Sequence, residues 1–374
     1  MTQPTIEPFR IDIPQADLDD LHTRLANTRW PEEAPGGWTY GTPVPWLKEL
    51  ADYWRTAYDW RKHEARLNEF PQFTTNIDGQ PIHFLHVRSP EPTALPLVLT
   101  HGWPGSVAEF IDMIEPLTNP DDPADAFHVV VPHLPGYGFS GPHREPGWDS
   151  RRIAAAWDTL MIRLGYDRYG AHGGDGGSLV GRELGVLNPP GLVGTHVLQI
   201  FAFPTGDPAE MARLTEADQK ALAILANFQE RAGFAAIQGT RPQTLAYGLT
   251  DSPAGVLAWN AELFATFGDT PDLVVDRDHY LTNVMLYWLT RTSGSSARMY
   301  YEDGHTGRTG TGTNTAPTGV AVFANDFHSI RPFAERDNTN IVHWSEYATG
   351  GHFAAMETPD LLTGDLRTFF RPLR

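Results

Sequence analysis

The chain has 374 residues, of which 41% are hydrophobic and 11% aromatic, and this is enough to bury a full-sized core. Its formal net charge of −18 opposes binding to phosphate backbones and anionic lipid surfaces, so nucleic-acid and membrane-surface partners are not expected. The absence of cysteine excludes disulfides, thiolate nucleophiles and cysteine-ligated zinc.

Residues 1–92 are predicted to form a helical N-terminal extension that ends in a β-hairpin. The first residues lack the basic and apolar regions of a signal peptide, and no apolar run approaches the ~20 residues needed to span a bilayer. We therefore expect a cytoplasmic protein. Amphipathic helices are predicted in LDDLHTRLANTRW and VPWLKELADYWRTAYDW. Two alternating runs around Asp78-Gly79 predict the hairpin.

Residues 93–200 and 316–374 have the pattern of a mostly parallel sheet with helices on both faces. Strand-length apolar runs alternate with helical stretches, as in sheets whose two faces are both covered. The runs are LPLVLTHG, FHVVVPHLPG, RYGAHGGD, LVGTHVLQI, TGVAVFAND and NIVHWSEY. Residues 201–315 interrupt the alternation with helical patterns, including VLAWNAELFATFG and LTNVMLYWLTRT, and predict a helical lid.

Asp175 stands at the centre of Gly173-Gly174-Asp175-Gly176-Gly177, after a predicted strand and before a predicted helix. A nucleophile on a tight strand-to-helix turn needs small neighbours, and the chain contains no G-x-S-x-G segment that could place a serine there. The N–H of Gly176 would lie where an oxyanion forms. The alternative interpretation is a glycine-rich loop with Asp175 as a helix N-cap.

Three further segments favour a hydrolase centred on Asp175. Trp103, in HGWPGS after the first parallel strand, is predicted to supply the second oxyanion N–H. His352 follows a Gly-Gly turn late in the chain, in the order nucleophile, acid, base, and Asp326 at the end of TGVAVFAND is the predicted acid. The competing carboxylates are Glu335, Asp337 and Glu346.

No cofactor and no metal site is predicted. The run Gly136-x-Gly138-x-x-Gly141 formally matches the dinucleotide fingerprint, but prolines bracket it and no helix follows. The fifteen histidines show no tight metal-ligand spacing.

Taken together, these motifs resemble the microsomal and juvenile-hormone-type epoxide hydrolases of the α/β-hydrolase superfamily. The resemblance runs nearly end to end, through YDWRKHEARLNEFPQFTTNIDGQPIHFLH, HGWPGS, LPGYGFS, GGDGGS, LTNVMLYW, SSARMYYE and GGHFAAMETPDLL. It implies that the chain has an α/β-hydrolase fold and that the enzyme converts an epoxide and water to a diol. It also implies that Asp175 is the nucleophile, His352 the base, Asp326 its acid partner and Tyr300 a donor to the epoxide oxygen.

Two positions depart from the family pattern. Phe234 stands where the resemblance places a second tyrosine, and Gly176 stands where many relatives carry a bulky aromatic. Tyr247 and Tyr301 are candidates to replace the missing phenol, and Phe234, Tyr301 and Trp288 are predicted to contact substrate. We hypothesise that Gly176 and Phe234 widen and dry the pocket for a bulky aromatic substrate.

Two alternative functions remain open at this point. A haloalkane-type dehalogenase would share the aspartate nucleophile, and a catalytically altered binder would share the fold without the reaction. A homodimer formed through the N-terminal segment is also consistent with the sequence.

Overall fold

The computed structural model describes residues 5–266 and 272–374, and its centre is a single sheet of nine strands. The order of the strands across the sheet is β1-β2-β3-β5-β4-β6-β7-β8-β9. Their bounds are β1 (Glu7–Phe9), β2 (Gln72–Ile77), β3 (Gln80–Val87), β4 (Leu95–Thr100), β5 (Phe127–Pro132), β6 (Tyr169–Gly173), β7 (Leu192–Val197), β8 (Thr318–Asn325) and β9 (Ile341–Gly351).

The pairing is parallel from β5 through β4, β6, β7 and β8 to β9, and antiparallel among β1, β2, β3 and β5. The hairpin prediction is confirmed, because Ile77 pairs with Gln80 and both turn residues, Asp78 and Gly79, have positive φ. The short strand β1 was not predicted, since three residues are too few to show an alternating pattern.

Helices cover the sheet. The described α-helices are α1 (Gln15–Ala26), α2 (Val44–Thr56), α3 (Trp60–Leu67), α4 (Ile111–Thr118), α5 (Ser150–Arg163), α6 (Gly176–Leu187), α7 (Pro208–Met211), α8 (Glu216–Arg231), α9 (Gly233–Thr240), α10 (Pro242–Asp251), α11 (Pro253–Thr266), α12 (Arg277–Thr290), α13 (Ser293–Ser296), α14 (Arg298–His305), α15 (Arg331–Asp337), α16 (Ala354–Glu357) and α17 (Pro359–Phe370). The last two residues of the predicted helix VLAWNAELFATFG lie outside the described residues.

The middle of the sheet is buried on both faces. Val129, Val130 and Val131 are consecutive residues of β5 and all are fully buried. Because successive side chains of a strand point to opposite faces, both faces must be covered. The helix pairs α4 with α17 and α5 with α6 pack together over the central strands. The mostly parallel, doubly covered sheet is therefore confirmed.

The segment between β7 and β8 contains α7 to α14, and its described residues include no strand. The domain boundaries at 92/93 and at 201 and 315 stay predictions; β1 to β3 of the N-terminal region belong to the same sheet as β4. Within the two described ranges, no helix combines the length and the apolar character needed to cross a membrane.

Candidate active site

The turn between β6 and α6 holds Asp175 in an unusual backbone conformation. Its φ is 49° and its ψ −120°, a strained combination for a residue with a side chain, which costs on the order of 1–3 kcal/mol. A Cβ on Gly173 would lie 2.2 Å from the carbonyl oxygen of Gly177, and one on Gly177 would lie 2.0 Å from that of Thr100. The positions two residues before and two residues after Asp175 must therefore be glycines.

Two hydrogen bonds fix Asp175, one accepted by its carboxylate and one donated by its backbone. The N–H of Trp103 donates to Oδ2 of Asp175 at 2.8 Å, and the N–H of Asp175 donates to Oε1 of Gln199 at 2.6 Å. Gly176 is the first residue of α6, where backbone N–H groups have no acceptor within the helix. The N–H of Trp103 therefore contacts the carboxylate of Asp175, and Gly176, the other predicted oxyanion donor, is the next residue in the chain.

The loop that carries Trp103 is anchored to the buried helix α12. Asn283 donates from Nδ2 to the carbonyl oxygen of Pro104 at 2.6 Å, and the hydroxyl of Tyr287 donates to that of Gly105 at 2.6 Å. These contacts join the motif LTNVMLYW to HGWPGS. Two motifs that are far apart in sequence therefore meet in the folded chain.

His352 and Asp326 form a buried pair beside this turn. The Nδ1 of His352 lies 2.7 Å from Oδ1 of Asp326, and their side chains are 8% and 1% exposed. Asp326 follows β8 and His352 follows β9, so both stand with Asp175 at the carboxyl ends of parallel strands.

The three competing carboxylates have other partners. Glu335 accepts from Arg331, Asp337 accepts from Arg336, and Glu346 accepts from the indole of Trp344. Asp326 is therefore the carboxylate that the structure brings to His352, as predicted.

Gln199, which the sequence analysis missed, connects these groups. Its Oε1 accepts from the N–H of Asp175 and from the hydroxyl of Ser178, and its Nε2 donates to Oδ2 of Asp326. Both oxygens of Asp326 are therefore hydrogen-bonded, one to His352 and one to Gln199. A glutamine at the end of LVGTHVLQI has no local signature, so this role appears only in the folded chain.

The ionisable groups of the site are coupled. Burial lowers the pKa of His352, but the carboxylates of Asp326 and Asp175 raise it by more, and its pKa lies at about 9. Burial also raises the pKa of Glu109 to about 8, where His352 opposes the increase and Asp175 adds to it. Glu109 was likewise missed, because a glutamate within SVAEF resembles any residue of a helical turn.

These residues open on a cavity of about 750 Å³. Asp175, Gly176, Trp103, Tyr300, Asp326 and His352 all contribute to its lining. The remainder of the wall is mostly apolar and includes the phenylalanines Phe201, Phe203, Phe228, Phe234 and Phe327.

Phe234 occupies the cavity wall as predicted. Its ring stacks on Trp103 at 5.2 Å with an interplanar angle of 16°, and it meets Tyr300 edge-on at 6.1 Å. The position therefore presents an aromatic ring, without a hydroxyl group, next to the predicted epoxide-binding tyrosine.

The predictions for Trp288 and Tyr301 disagree with the structure. Trp288 lies under the guanidinium of Arg24 in a separate cleft. Its helix, α12, is buried on most sides, so the residue types along it do not show which face meets the cavity. Tyr301 is 37% exposed and stacks on His305. Neighbouring helical residues point about 100° apart, so Tyr301 points away from the cavity that Tyr300 faces. Tyr247, the other candidate phenol, is 74% exposed.

A separate cluster of ligand-type side chains joins β7, β9 and α17. Donor atoms of His196, His343 and Asp365 lie within 4.8 Å of one another. Asp365 accepts from His196 at 2.7 Å, from His343 at 2.9 Å, and also from Ser345 and Tyr347. Four hydrogen bonds to one carboxylate account for this arrangement.

The sheet order and the strained strand-to-helix turn define an α/β-hydrolase fold. Two family models match the chain: "Epoxide hydrolase N terminus" at residues 6–110 and "alpha/beta hydrolase fold" at residues 96–245. A Stigmatella aurantiaca protein provisionally named an epoxide hydrolase is 45% identical, over 99% of this chain and 86% of its own. Epoxide hydrolase 1 of Sus scrofa is 34% identical, over 98% and 88%.

Solved structures agree with these relatives. The juvenile hormone epoxide hydrolase of Bombyx mori superposes with a TM-score of 0.91 at 29% identity, covering 100% of this chain and 95% of that one. The Aspergillus niger epoxide hydrolase gives 0.89 at 33% identity, covering 99% and 97%. The chain therefore belongs to the epoxide hydrolase family of the α/β-hydrolase superfamily.

Replacing Asp175 by asparagine should lower the pKa of His352, because one of the carboxylates that stabilise the imidazolium is removed. Asp326→Asn should lower it further, since Asp326 contributes more than Asp175. An NMR titration of the His352 imidazole measures both shifts. Glu346→Gln, which changes an exposed carboxylate of β9, should leave this pKa in place. An unchanged pKa in Asp175→Asn would contradict the coupling.

Proposed function

We propose that this protein hydrolyses epoxides to vicinal diols through a covalent ester on Asp175. The observation that carries the proposal is the position of the Asp175 carboxylate, held by the Trp103 N–H in an aromatic cavity beside the His352–Asp326 pair. Membership of the epoxide hydrolase family supports the same reaction.

In the first step, a carboxylate oxygen of Asp175 attacks an epoxide carbon. A carbon–oxygen bond forms to Asp175 as the ring bond breaks, and the electron pair of the broken bond stays on the epoxide oxygen. Tyr300 donates its proton to that oxygen. Burial raises the pKa of Tyr300 well above its usual value, and the charge of Asp175 raises it further, so Tyr300 holds a proton to donate.

In the second step, His352 removes a proton from water, and the water oxygen attacks the ester carbonyl of Asp175. The bond between the carbonyl carbon and the diol oxygen then breaks, and that oxygen takes the remaining proton of the water. The N–H groups of Trp103 and Gly176 stabilise the oxyanion, and Asp326 stabilises the imidazolium. Formation of the ester removes the charge of Asp175 and thereby lowers the pKa of His352. The His352 imidazolium therefore gives its proton to the phenolate left by the first step, and the neutral imidazole is the base of the second step.

The dehalogenase alternative lacks a halide donor next to the nucleophile. Gly176 offers no side-chain N–H at that position. The binder alternative leaves the hydrogen bond between His352 and Asp326 without a purpose. Epoxide hydrolysis uses each of these groups.

We further propose that the substrate is bulky or aromatic. The cavity of about 750 Å³ has a mostly apolar wall with several phenylalanines, which suits a large apolar substrate. A Cβ at Gly176 would lie 3.3 Å from Cε of Met299, so the methionine fills part of the space that the glycine leaves. Phe234 and its aromatic neighbours supply part of the apolar surface of the pocket.

A cytoplasmic location and a homodimer stay predictions from the sequence. Light scattering in solution distinguishes a 41.5-kDa monomer from its dimer.

A single turnover in H₂¹⁸O, with enzyme in excess over epoxide, tests the proposed reaction. The first diol should contain no ¹⁸O, because its new oxygen comes from Asp175, and the peptide that carries Asp175 should gain the label. Mass spectrometry of the diol and of the peptide measures both, and Asp175→Asn should release no diol. Label in the diol of the first turnover would show direct attack by water and would contradict the ester.

A series of epoxides tests the substrate proposal. Aryl epoxides should have a higher kcat/KM than small aliphatic epoxides, because each additional buried apolar Å² contributes about 25 cal/mol to binding. Steady-state kinetics with styrene oxide, a naphthyl analogue and propylene oxide supply the comparison. Good activity on propylene oxide with poor activity on both aryl substrates would sink the proposal.

A further inference from the structure

Tyr137 contributes to the wall of the same cavity, in a loop that the function so far leaves unused. It follows β5 in the motif LPGYGFS, it is 1% exposed, and it lines the cavity together with Asp175 and Tyr300. Its loop is held in place from the lid side. The hydroxyl of Ser295 donates to the carbonyl oxygen of Gly136, and the N–H of Gly138 donates to the hydroxyl of Thr292 at 3.1 Å.

The hydroxyl of Tyr137 has an unusually weak partner. Across residues 5–266 and 272–374, its one hydrogen-bond acceptor is Sδ of Met299, at 3.8 Å. A thioether is a weak acceptor, and a methionine side chain is flexible. A buried phenol with so poor a partner gains from any oxygen that a substrate brings within reach.

Met299 connects this phenol to the turn of the predicted nucleophile. The same side chain that accepts from Tyr137 also borders Gly176, where a Cβ would lie 3.3 Å from Cε and 3.5 Å from Sδ. The methionine therefore fills the space between Tyr137 and the turn of Asp175. When a substrate takes that space, the hydroxyl of Tyr137 is left facing the substrate.

The site also lacks a donor that Tyr137 can supply. Phe234 presents a bare ring edge-on to Tyr300, and the two alternative tyrosines, Tyr247 and Tyr301, are exposed. Burial raises the pKa of Tyr137 well above its usual value, and the charges of Asp175 and Asp303 raise it further. Tyr137 therefore keeps its proton at neutral pH and acts as a donor.

We propose that Tyr137 donates the second hydrogen bond to the epoxide oxygen, next to Tyr300, and so replaces the phenol that is missing at Phe234. This inference rests on the proposed function. As Asp175 forms its bond to carbon, the electron pair of the broken ring bond stays on oxygen, which takes a proton from one of the two phenols. The phenolate regains a proton from the His352 imidazolium once the ester has formed, which leaves His352 neutral to activate water.

The test measures the rate of ester formation in single turnovers with an aryl epoxide, separately from ester hydrolysis. Tyr137→Phe should slow ester formation about 10²-fold, the usual effect of removing one preorganised donor. Its rate of ester hydrolysis should stay unchanged, which a general loss of structure would not produce. The double variant Tyr137→Phe/Phe234→Tyr should recover most of the lost rate, and Tyr301→Phe should have no effect.

If Tyr137→Phe folds poorly, the single variant Phe234→Tyr tests the same inference. With Tyr137 already donating, the added phenol should change the rate of ester formation little. An increase of about 10²-fold in Phe234→Tyr would mean that the site had a single donor, and would overturn the inference.

Two further outcomes are distinguishable. If the wild-type protein forms an ester and Tyr137→Phe forms it equally fast, this inference is overturned and the proposed function stands. If the wild-type protein forms no ester with any epoxide, the proposed function fails and the role of Tyr137 fails with it.

Discussion

The rest of the site depends on one strained residue. Asp175 has a positive φ between a strand and a helix, and the turn is tolerated because glycines on both sides let the backbone of β4 and α6 approach closely. This conformation places the carboxylate at the wall of the cavity. Strain of this kind persists only where the surrounding structure holds it, and here Trp103 and Gln199 hold it by hydrogen bonds.

The second constraint is electrostatic. Asp175, Asp326, Glu109 and His352 share a largely buried space, where charges interact strongly, so the pKa values of His352 and Glu109 depend on the charges around them. The charges of Asp326 and Asp175 keep His352 protonated before reaction, and an ester on Asp175 releases that proton more easily. Gln199 bonds to Asp175 and Asp326 together, so the geometry of the nucleophile and that of the acid are not independent.

Short sequence patterns predicted those features of the fold that depend on neighbouring residues alone. The glycines around Asp175, the Asp78-Gly79 hairpin and the apolar runs of the parallel strands are each visible within about ten residues, and the structure contains all of them. Gln199, Glu109 and Tyr137 could not be predicted in this way, because their significance comes from residues that are distant in the chain. Tyr301 was wrong for a related reason: a helix lets only one of two adjacent tyrosines face the cavity.

The central claim is that Asp175 becomes covalently attached to the substrate. Intact-protein mass spectrometry of a His352→Gln variant incubated with an aryl epoxide tests it most directly, because loss of the base should let the ester accumulate. The account predicts a mass gain equal to one whole epoxide, located on Asp175 by peptide mapping and absent from a His352→Gln variant that also carries Asp175→Asn. An unmodified protein with every epoxide tried, or an adduct on another residue, would contradict it.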